Sequence, residues 1–339
     1  MSQQPFVELL HAPAELAAML DRLGLARTGD PIHVTPLTGG VSSSIFRVDV
    51  ADQTFCVKQS LPQLKVAKEW LAPTDRIFSE IHWLQTAGKI VPDHVPRIVG
   101  VDEAFGAFVM EFLAGEHVHN WKQQLLNGEV DPSIGSAVGE ALGRVHGYTE
   151  AGSECAPAVD GEGNFYQLRL EPYLIECTRQ HPALARRLIE LVHSVQHNSR
   201  VLVHGDVSPK NILIRQGQPV ILDAECAYRG DPAFDLAFFI NHLVLKAIRR
   251  PQDRQALGAL LARFYAAYAP FVTWEPVADV ERRTAALLPG LLLGRVDGKS
   301  PIEYLDDLQR SRTRAVAIQL LKSPALTLPV LWAEVMALT

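Results

Sequence analysis

The chain is poor in cysteine, with four in 339 residues, and none of them forms a C-x-x-C pair. The four are Cys56, Cys155, Cys177 and Cys226. Such scattered thiols exclude a dense disulfide scaffold, and no His/Cys cluster has zinc-site spacing. We therefore expect reduced, mostly buried thiols and a cytoplasmic protein.

The chain also lacks a long apolar run. Its most apolar tract, residues 285–293, is interrupted by Pro289 and Gly290 and is too short to span a bilayer. Residues 1–8 lack the basic start and apolar core of a signal peptide. The sequence therefore predicts no secretion signal and no association with a membrane.

Basic residues are not clustered. The formal net charge is −6, and no run of Lys and Arg could follow a phosphate backbone, so we expect no nucleic-acid partner. The length suits one large domain or two lobes with a shared cleft, and no internal repeat is evident. The sequence leaves the oligomeric state open.

The most informative stretch combines buried strands with carboxylates. Three short apolar runs predict strands at residues 201–203, 212–214 and 220–222. Asp206 and Asn211 lie in the loop between the first two, while Asp223 ends the third and Glu225 follows. Carboxylates at such positions are costly to bury unless they meet a proton, a cation or a hydrogen-bond donor.

Phosphoryl transfer accounts for this group of side chains. The reaction needs a carboxylate that accepts the proton of an attacking hydroxyl, and Asp206 suits that role. It also needs hard oxygen ligands for magnesium, for which Asn211 and Asp223 are candidates, with Glu225 as a further metal or water ligand. The alternative is a hairpin whose acids cap turns. Turn chemistry does not require these side chains, whereas the Asp-x-x-x-x-Asn spacing matches a kinase catalytic loop.

Two motifs carry a family resemblance. HGDVSPKNIL at residues 204–213 and ILDAE at 221–225 closely resemble the aminoglycoside phosphotransferase and choline kinase superfamily. Residues 57–70 and the Asp-Ala-Glu spacing also look like methylthioribose kinases. Asn211 is closer to the aminoglycoside phosphotransferases, so the subfamily stays open.

The resemblance implies an α+β, two-lobed, protein-kinase-like fold. It places a small antiparallel-sheet lobe at residues 1–112 and a mainly helical lobe at 113–339. The implied activity is magnesium-dependent transfer of the γ-phosphoryl group of ATP, or of GTP, to a hydroxyl of a metabolite or aminoglycoside-like substrate. Asp235 would support the backbone of the catalytic loop.

The glycine–serine turn at residues 38–44 separates two predicted strands. Backbone N–H groups of Gly39, Gly40, Ser42 and Ser43 are candidates for phosphate contacts. A plain hairpin turn is the alternative, because the match to G-x-G-x-x-G is imperfect.

Lys58 lies on a predicted strand and is typical of the lysine that reaches the nucleotide phosphates. A solvated edge lysine is the alternative. Glu80, on a helix predicted from Thr74 to Leu84, is the preferred ion-pair partner, and Glu69 is the other candidate. By resemblance, Glu111 and Leu113 would lie near the adenine, although an ordinary loop there is equally consistent with the sequence.

The acceptor site is less defined. An aromatic stretch at residues 165–173 could hold the acceptor or pack as a helix. A polar segment at residues 293–301 is predicted to separate two helices. Candidate contacts, each weighed against a solvated or ion-paired role, are Asn241, His242, Lys246, Arg295, Asp297 and Lys299. An aminoglycoside, a methylthioribose-like sugar and an amino alcohol all remain open, and the mild acidity of the chain would suit a cation.

Two other functions compete with a small-molecule kinase. A non-catalytic nucleotide-binding pseudokinase is disfavoured because Lys58, Asp206, Asn211 and Asp223 are all present. A protein kinase is disfavoured because the chain has neither an Asp-Phe-Gly nor an Ala-Pro-Glu motif.

Overall fold

A computed structural model describes residues 6–37, 42–63, 73–150 and 161–339. Its N-terminal lobe is built on a five-stranded antiparallel sheet with the order β1-β2-β3-β5-β4. The strands are β1 (Ile32–Pro36), β2 (Ser43–Val50), β3 (Gln53–Ser60), β4 (Ile98–Asp102) and β5 (Ala107–Glu111). The predicted α+β, kinase-like fold is confirmed.

Two helices accompany this sheet. Helix α1 (Pro13–Arg22) buries Leu16, Met19 and Leu20 in one apolar cluster with the sheet, as the helical spacing predicts. Helix α2 (Arg76–Ile90) belongs instead to the large core that continues through the second lobe. Helix α2 therefore joins the sheet to the second lobe and carries Glu80 into the space between them.

The second lobe is mainly helical. It contains two small sheets, one of β6-β8-β9 and one of β7-β10. These strands are β6 (Val118–Asn120), β7 (Val201–Val203), β8 (Ile212–Arg215), β9 (Gln218–Ile221) and β10 (Tyr228–Gly230). The helices are α3 (Trp121–Asn127), α4 (Pro132–Tyr148), α5 (Glu162–Phe165), a π-helix (Tyr166–Ile175), α6 (Glu176–Gln180), α7 (Ala185–His197), α8 (Pro232–Arg249), α9 (Arg254–Tyr268), α10 (Val277–Asp297), α11 (Asp307–Lys322) and α12 (Leu328–Leu338).

Helices α4 and α9 pack backbone to backbone. A Cβ atom at Gly139 would lie 2.1 Å from the Phe264 carbonyl oxygen, and one at Gly135 would lie 2.5 Å from that of Leu260. Only glycine permits this approach. The close contact fixes α4, whose last turn carries the buried His146.

The predicted polar break at residues 293–301 is wrong in position. Helix α10 continues through Pro289 and Gly294 and ends only at Asp297. Proline disfavours a helix interior because it lacks the N–H of a backbone hydrogen bond. In α10 the leucines that flank Pro289 are buried in the core, and their packing outweighs the loss of that hydrogen bond. Among the described residues, no helix is long and apolar enough to cross a membrane.

Candidate active site

The loop between β7 and β8 depends on a glycine. Gly205 has φ +75°, and a Cβ atom there would lie 2.5 Å from the Cys226 carbonyl oxygen. Both the left-handed backbone and the contact exclude a side chain. The glycine of the His-Gly-Asp motif is therefore required by the local backbone and packing.

Asp235, in the first turn of α8, holds this loop through hydrogen bonds to its backbone. Its carboxylate accepts hydrogen bonds from the backbone N–H groups of His204 (2.7 Å) and Gly205 (2.8 Å). His146 of α4 lies 3.3 Å from the same carboxylate, and its other ring nitrogen lies 3.0 Å from the Tyr268 hydroxyl. The structure thus gives Asp235 the loop-supporting contacts that the family resemblance implied.

His204 is a neutral side chain that bridges two parts of the site. The Asp206 N–H donates to His204 Nδ1 over 3.1 Å, and Nε2 lies 3.0 Å from the Leu222 carbonyl oxygen. Nε2 must therefore carry the proton. Burial, which outweighs the nearby carboxylates, lowers the pKa of His204 and favours this neutral form. The imidazole links the loop between β7 and β8 to the segment that follows β9 and carries Asp223.

The Asp206 carboxylate is buried but strongly partnered. Its Oδ2 atom lies 2.7 Å from Arg169 Nη2 and 3.1 Å from Lys210 Nζ, and it accepts a 2.8 Å hydrogen bond from Asn211 Nδ2. Burial raises the pKa of Asp206, but the charges of Arg169 and Lys210 outweigh it and hold the pKa below its ordinary value. The carboxylate is therefore ionised at neutral pH.

Arg169 is the residue that sequence reasoning missed. It projects from the π-helix, donates from Nε to the Gly205 carbonyl oxygen (2.8 Å), and lies over the Phe238 ring. Pro172 lacks the N–H that a regular α-helix would use, consistent with the altered helical register here. A single basic residue within an aromatic stretch was the available signal.

Lys58 occupies the centre of a buried acidic cluster. Its Nζ atom lies 2.7 Å from Glu80, 2.5 Å from Asp223 and 3.2 Å from Glu225. Burial raises the pKa of Glu80 to about 8, although Lys58 opposes the shift. The Lys58–Glu80 ion pair forms as predicted, whereas Glu69, the alternative partner, lies outside the described residues.

Arg76 is a second buried cation that the sequence did not single out. Its Nε atom lies 3.0 Å from Glu225, and Nη2 donates to the carbonyl oxygens of Leu61 (2.9 Å) and Ser42. The Ser43 hydroxyl also donates to Glu225. Helix α2 and the end of the glycine–serine turn are thereby joined to the segment that follows β9. Gly39 and Gly40, also predicted for this turn, lie outside the described residues.

The three carboxylates around Lys58 Nζ offer oxygen donors of the kind that a hard divalent cation prefers. One oxygen each from Glu80, Asp223 and Glu225 lie within 4.8 Å of one another. Oxygen donors of this kind suit magnesium, which keeps part of its water shell. Asn211 lies beside Asp223 in the same cleft, with its amide nitrogen directed to Asp206. The donor chemistry is therefore suitable for the magnesium role predicted for Asn211, Asp223 and Glu225, which stays a prediction.

Two cavities meet at this cluster. The first, of about 400 Å³, lies between the lobes and is lined by Lys58, Glu80, Glu111, Leu113 and Asn211 among others. The second, of about 310 Å³, is lined mainly by the helical lobe, including Asp206 and Arg169, with Ser42 from the N-terminal lobe at its edge. Lys210 and Asp223 line both cavities. The arrangement offers one space for a nucleotide and an adjoining space for an acceptor.

The acceptor candidates separate into two groups. His242, Lys246 and Arg295 line the second cavity. Asp297 instead pairs with Arg314 (2.6 Å), and Lys299 pairs with Glu171 (2.7 Å). Asn241 is fully buried on α8 and is not part of the cavity lining.

Comparison with known proteins identifies a family and several relatives. The sequence profile of the phosphotransferase enzyme family matches residues 33–271. Methylthioribose kinase of Geobacillus kaustophilus is 27% identical over 307 residues, covering 81% of this chain and 76% of that protein. Methylthioribose kinase of Bacillus velezensis is also 27% identical, over 271 residues, covering 71% of this chain and 68% of that protein.

Solved structures share the fold at low identity. The aminoglycoside phosphotransferase of Alicyclobacillus acidocaldarius superposes with a TM-score of 0.53 at 16% identity, covering 99% of this chain and 98% of that one. Amicoumacin kinase, solved with AMP-PNP, Ca²⁺ and Ami, superposes with a TM-score of 0.52 at 14% identity, covering 94% of this chain and 98% of that one.

Proposed function

The chain belongs to the phosphotransferase enzyme family, and we propose that it transfers the γ-phosphoryl group of ATP to a hydroxyl of a small molecule, with magnesium. The observation that best supports this proposal is that Asp206, Asn211 and Asp223 come together where the two cavities adjoin. Homology to methylthioribose kinases and a fold shared with a kinase bound to AMP-PNP support the choice of ATP.

The nucleotide would lie in the cavity between the lobes. Glu111 and Leu113 line that cavity after β5 and are proposed to lie beside the base, with the change of lobe at residues 112–113. Ser42, Ser43 and the glycines before them are proposed to cover the phosphates. Lys58, held by Glu80, would bind the phosphate oxygens after exchanging part of its contact with Asp223.

Asp206 would orient the acceptor hydroxyl and take its proton as the hydroxyl oxygen bonds to phosphorus and the bond to the nucleotide breaks. Arg169 and Lys210 keep the carboxylate ionised and fix its direction. Magnesium, held by Asn211, Asp223 and Glu225, would neutralise charge on the phosphates. The complete set of these residues argues against a pseudokinase.

The test is Asp206→Asn, with the exposed Asp307→Asn on α11 as the matched control. ATP consumption is measured over a panel of hydroxylated metabolites, with and without Mg²⁺. We expect Asp206→Asn to lower kcat by about 10²- to 10⁴-fold, the usual contribution of a general base, while nucleotide affinity is retained. Activity should also need a divalent cation.

Unchanged kcat in Asp206→Asn would contradict the assigned role. Nucleotide binding without turnover of any acceptor, in the wild type, would favour the pseudokinase instead.

A further inference from the structure

Several Lys and Arg side chains line the acceptor cavity. Of the cations around this cavity, Arg169 and Lys210 contact Asp206, and Lys122 pairs with Glu303 at the rim. Lys246 and Arg295 remain, and no carboxylate within the described part of the chain forms an ion pair with either. Two basic side chains therefore line the cavity without an ion-pair partner among the described residues.

Lys246 is the more unusual of the two. It lies on α8, is 1% exposed, and has the Tyr304 ring 5.4 Å from its ammonium nitrogen. Burial, followed by the neighbouring charges of Lys122 and Arg295, lowers the pKa of Lys246 to about 7, and Glu303 opposes the shift only weakly. Burying an ammonium group without a counterion costs free energy, so the charged form of Lys246 is unfavourable unless an anion lies beside it.

Arg295 presents a second set of donors from α10. Its Nη1 atom donates to the Ser300 carbonyl oxygen (2.6 Å) and lies 3.1 Å from the Tyr173 hydroxyl, which fixes the guanidinium. Its Nε atom and the buried Tyr304 hydroxyl have no hydrogen-bond partner among the described residues. Arg295 and Lys246 both line the cavity, and two cationic donors side by side are the arrangement that binds an oxyanion.

We propose that the acceptor is a small hydroxy compound carrying an anionic group, a carboxylate or a phosphate, which binds between Lys246 and Arg295 while its hydroxyl reaches Asp206. This proposal rests on the proposed function and names its substrate class. The cavity of about 310 Å³ is at the lower end of the roughly 300–1,000 Å³ of ligand sites, which favours a small acceptor. The same charges disfavour the cationic acceptor that the acidity of the whole chain had left open.

Binding measurements test the anion site without requiring turnover. Four compounds of similar size are titrated calorimetrically at fixed ionic strength, with the nucleotide cleft filled by AMP-PNP: gluconate, glucose 6-phosphate, the neutral glucitol and the cationic glucosamine. We expect at least one anion to bind at least about 30-fold more tightly than glucitol, the scale of a buried charge contact. The two anions distinguish a carboxylate site from a phosphate site.

Lys246→Met is the decisive variant, because methionine keeps the length without the charge, and the exposed Lys322→Met on α11 is its control. The preference for the anion should disappear in Lys246→Met, while a thermal melt shows the fold retained. Near pH 8 the wild type should also take up protons on binding, because the anion returns the Lys246 ammonium to its charged form. His242, Lys122, Arg295, Glu303 and Tyr304 face this ammonium, and the uptake must vanish in Lys246→Met to be assigned to Lys246.

Equal or tighter binding of glucitol or glucosamine, failure of both anions to bind, or an anion preference that survives Lys246→Met would overturn the proposal. Because these are binding results, they differ from failure of the proposed function, which would appear as absent phosphoryl transfer.

Discussion

Replacing Asp235 by Asn tests how the catalytic loop is held. The aspartate carboxylate receives two backbone N–H groups, from His204 and Gly205, and is fully buried. Asparagine has nearly the same size, but one of its two polar ends is an NH₂ group. One backbone N–H would therefore face another donor and lose its acceptor.

The magnitude follows from those contacts. A hydrogen bond to a charged group contributes about 1.5–3 kcal/mol, and an orphaned buried donor costs about 1–3 kcal/mol. Because these terms overlap, we expect Asp235→Asn to lower the free energy of unfolding by about 2–4 kcal/mol. The 3.3 Å contact with His146 is retained only if the asparagine oxygen takes the Oδ2 position, where it also accepts the His204 N–H and leaves the Gly205 N–H facing the NH₂ group.

Urea denaturation followed by tryptophan fluorescence is a suitable assay. The Trp83 ring lies 4.7 Å from the His204 ring, centroid to centroid, so its emission reports on the loop as well as on global unfolding. The exposed Asp52→Asn is the control. A loss below about 0.5 kcal/mol, the range of ordinary surface substitutions, together with unchanged kcat would refute the reasoning.

Two further substitutions probe the loop and the base. Gly205→Ala should cost at least about 1–2 kcal/mol from the left-handed backbone alone, plus the contact with Cys226, and should lower kcat; a variant with wild-type melting temperature and kcat would contradict this. Arg169→Gln removes a charge that lowers the pKa of Asp206, so that pKa should rise and the acid limb of the kcat/KM profile should move to higher pH; an unmoved acid limb would show that Arg169 does not tune the base.

Local patterns predicted the parts of the fold that local physics controls. Asp131 followed by Pro132 is typical of a helix start, and the Asp131 carboxylate caps α4 by accepting a 2.8 Å hydrogen bond from the Ser133 N–H. The kinase-like fold and the Lys58–Glu80 ion pair also followed from motifs. The catalytic, metal and nucleotide roles of the site residues remain predictions.

Features that depend on distant packing were not accessible from sequence. Arg169 reaches Asp206 only because the π-helix turns it inward, and no spacing rule gives that direction. Arg76 was missed for the same reason, since its partners lie on the β2 edge and beyond β9. The continuation of α10 through Pro289 reflects the leucine packing around it, which overrides a local helix-breaking preference.

The shared boundary of the two cavities, formed by Lys210 and Asp223, has a kinetic consequence. The nucleotide and the acceptor would occupy separate cavities that adjoin at these two side chains. Neither molecule would have to leave before the other enters, so double-reciprocal plots should intersect, as for a ternary complex, and not run parallel. The phosphoryl group would pass directly from the nucleotide to the acceptor, without a covalent phosphoenzyme intermediate.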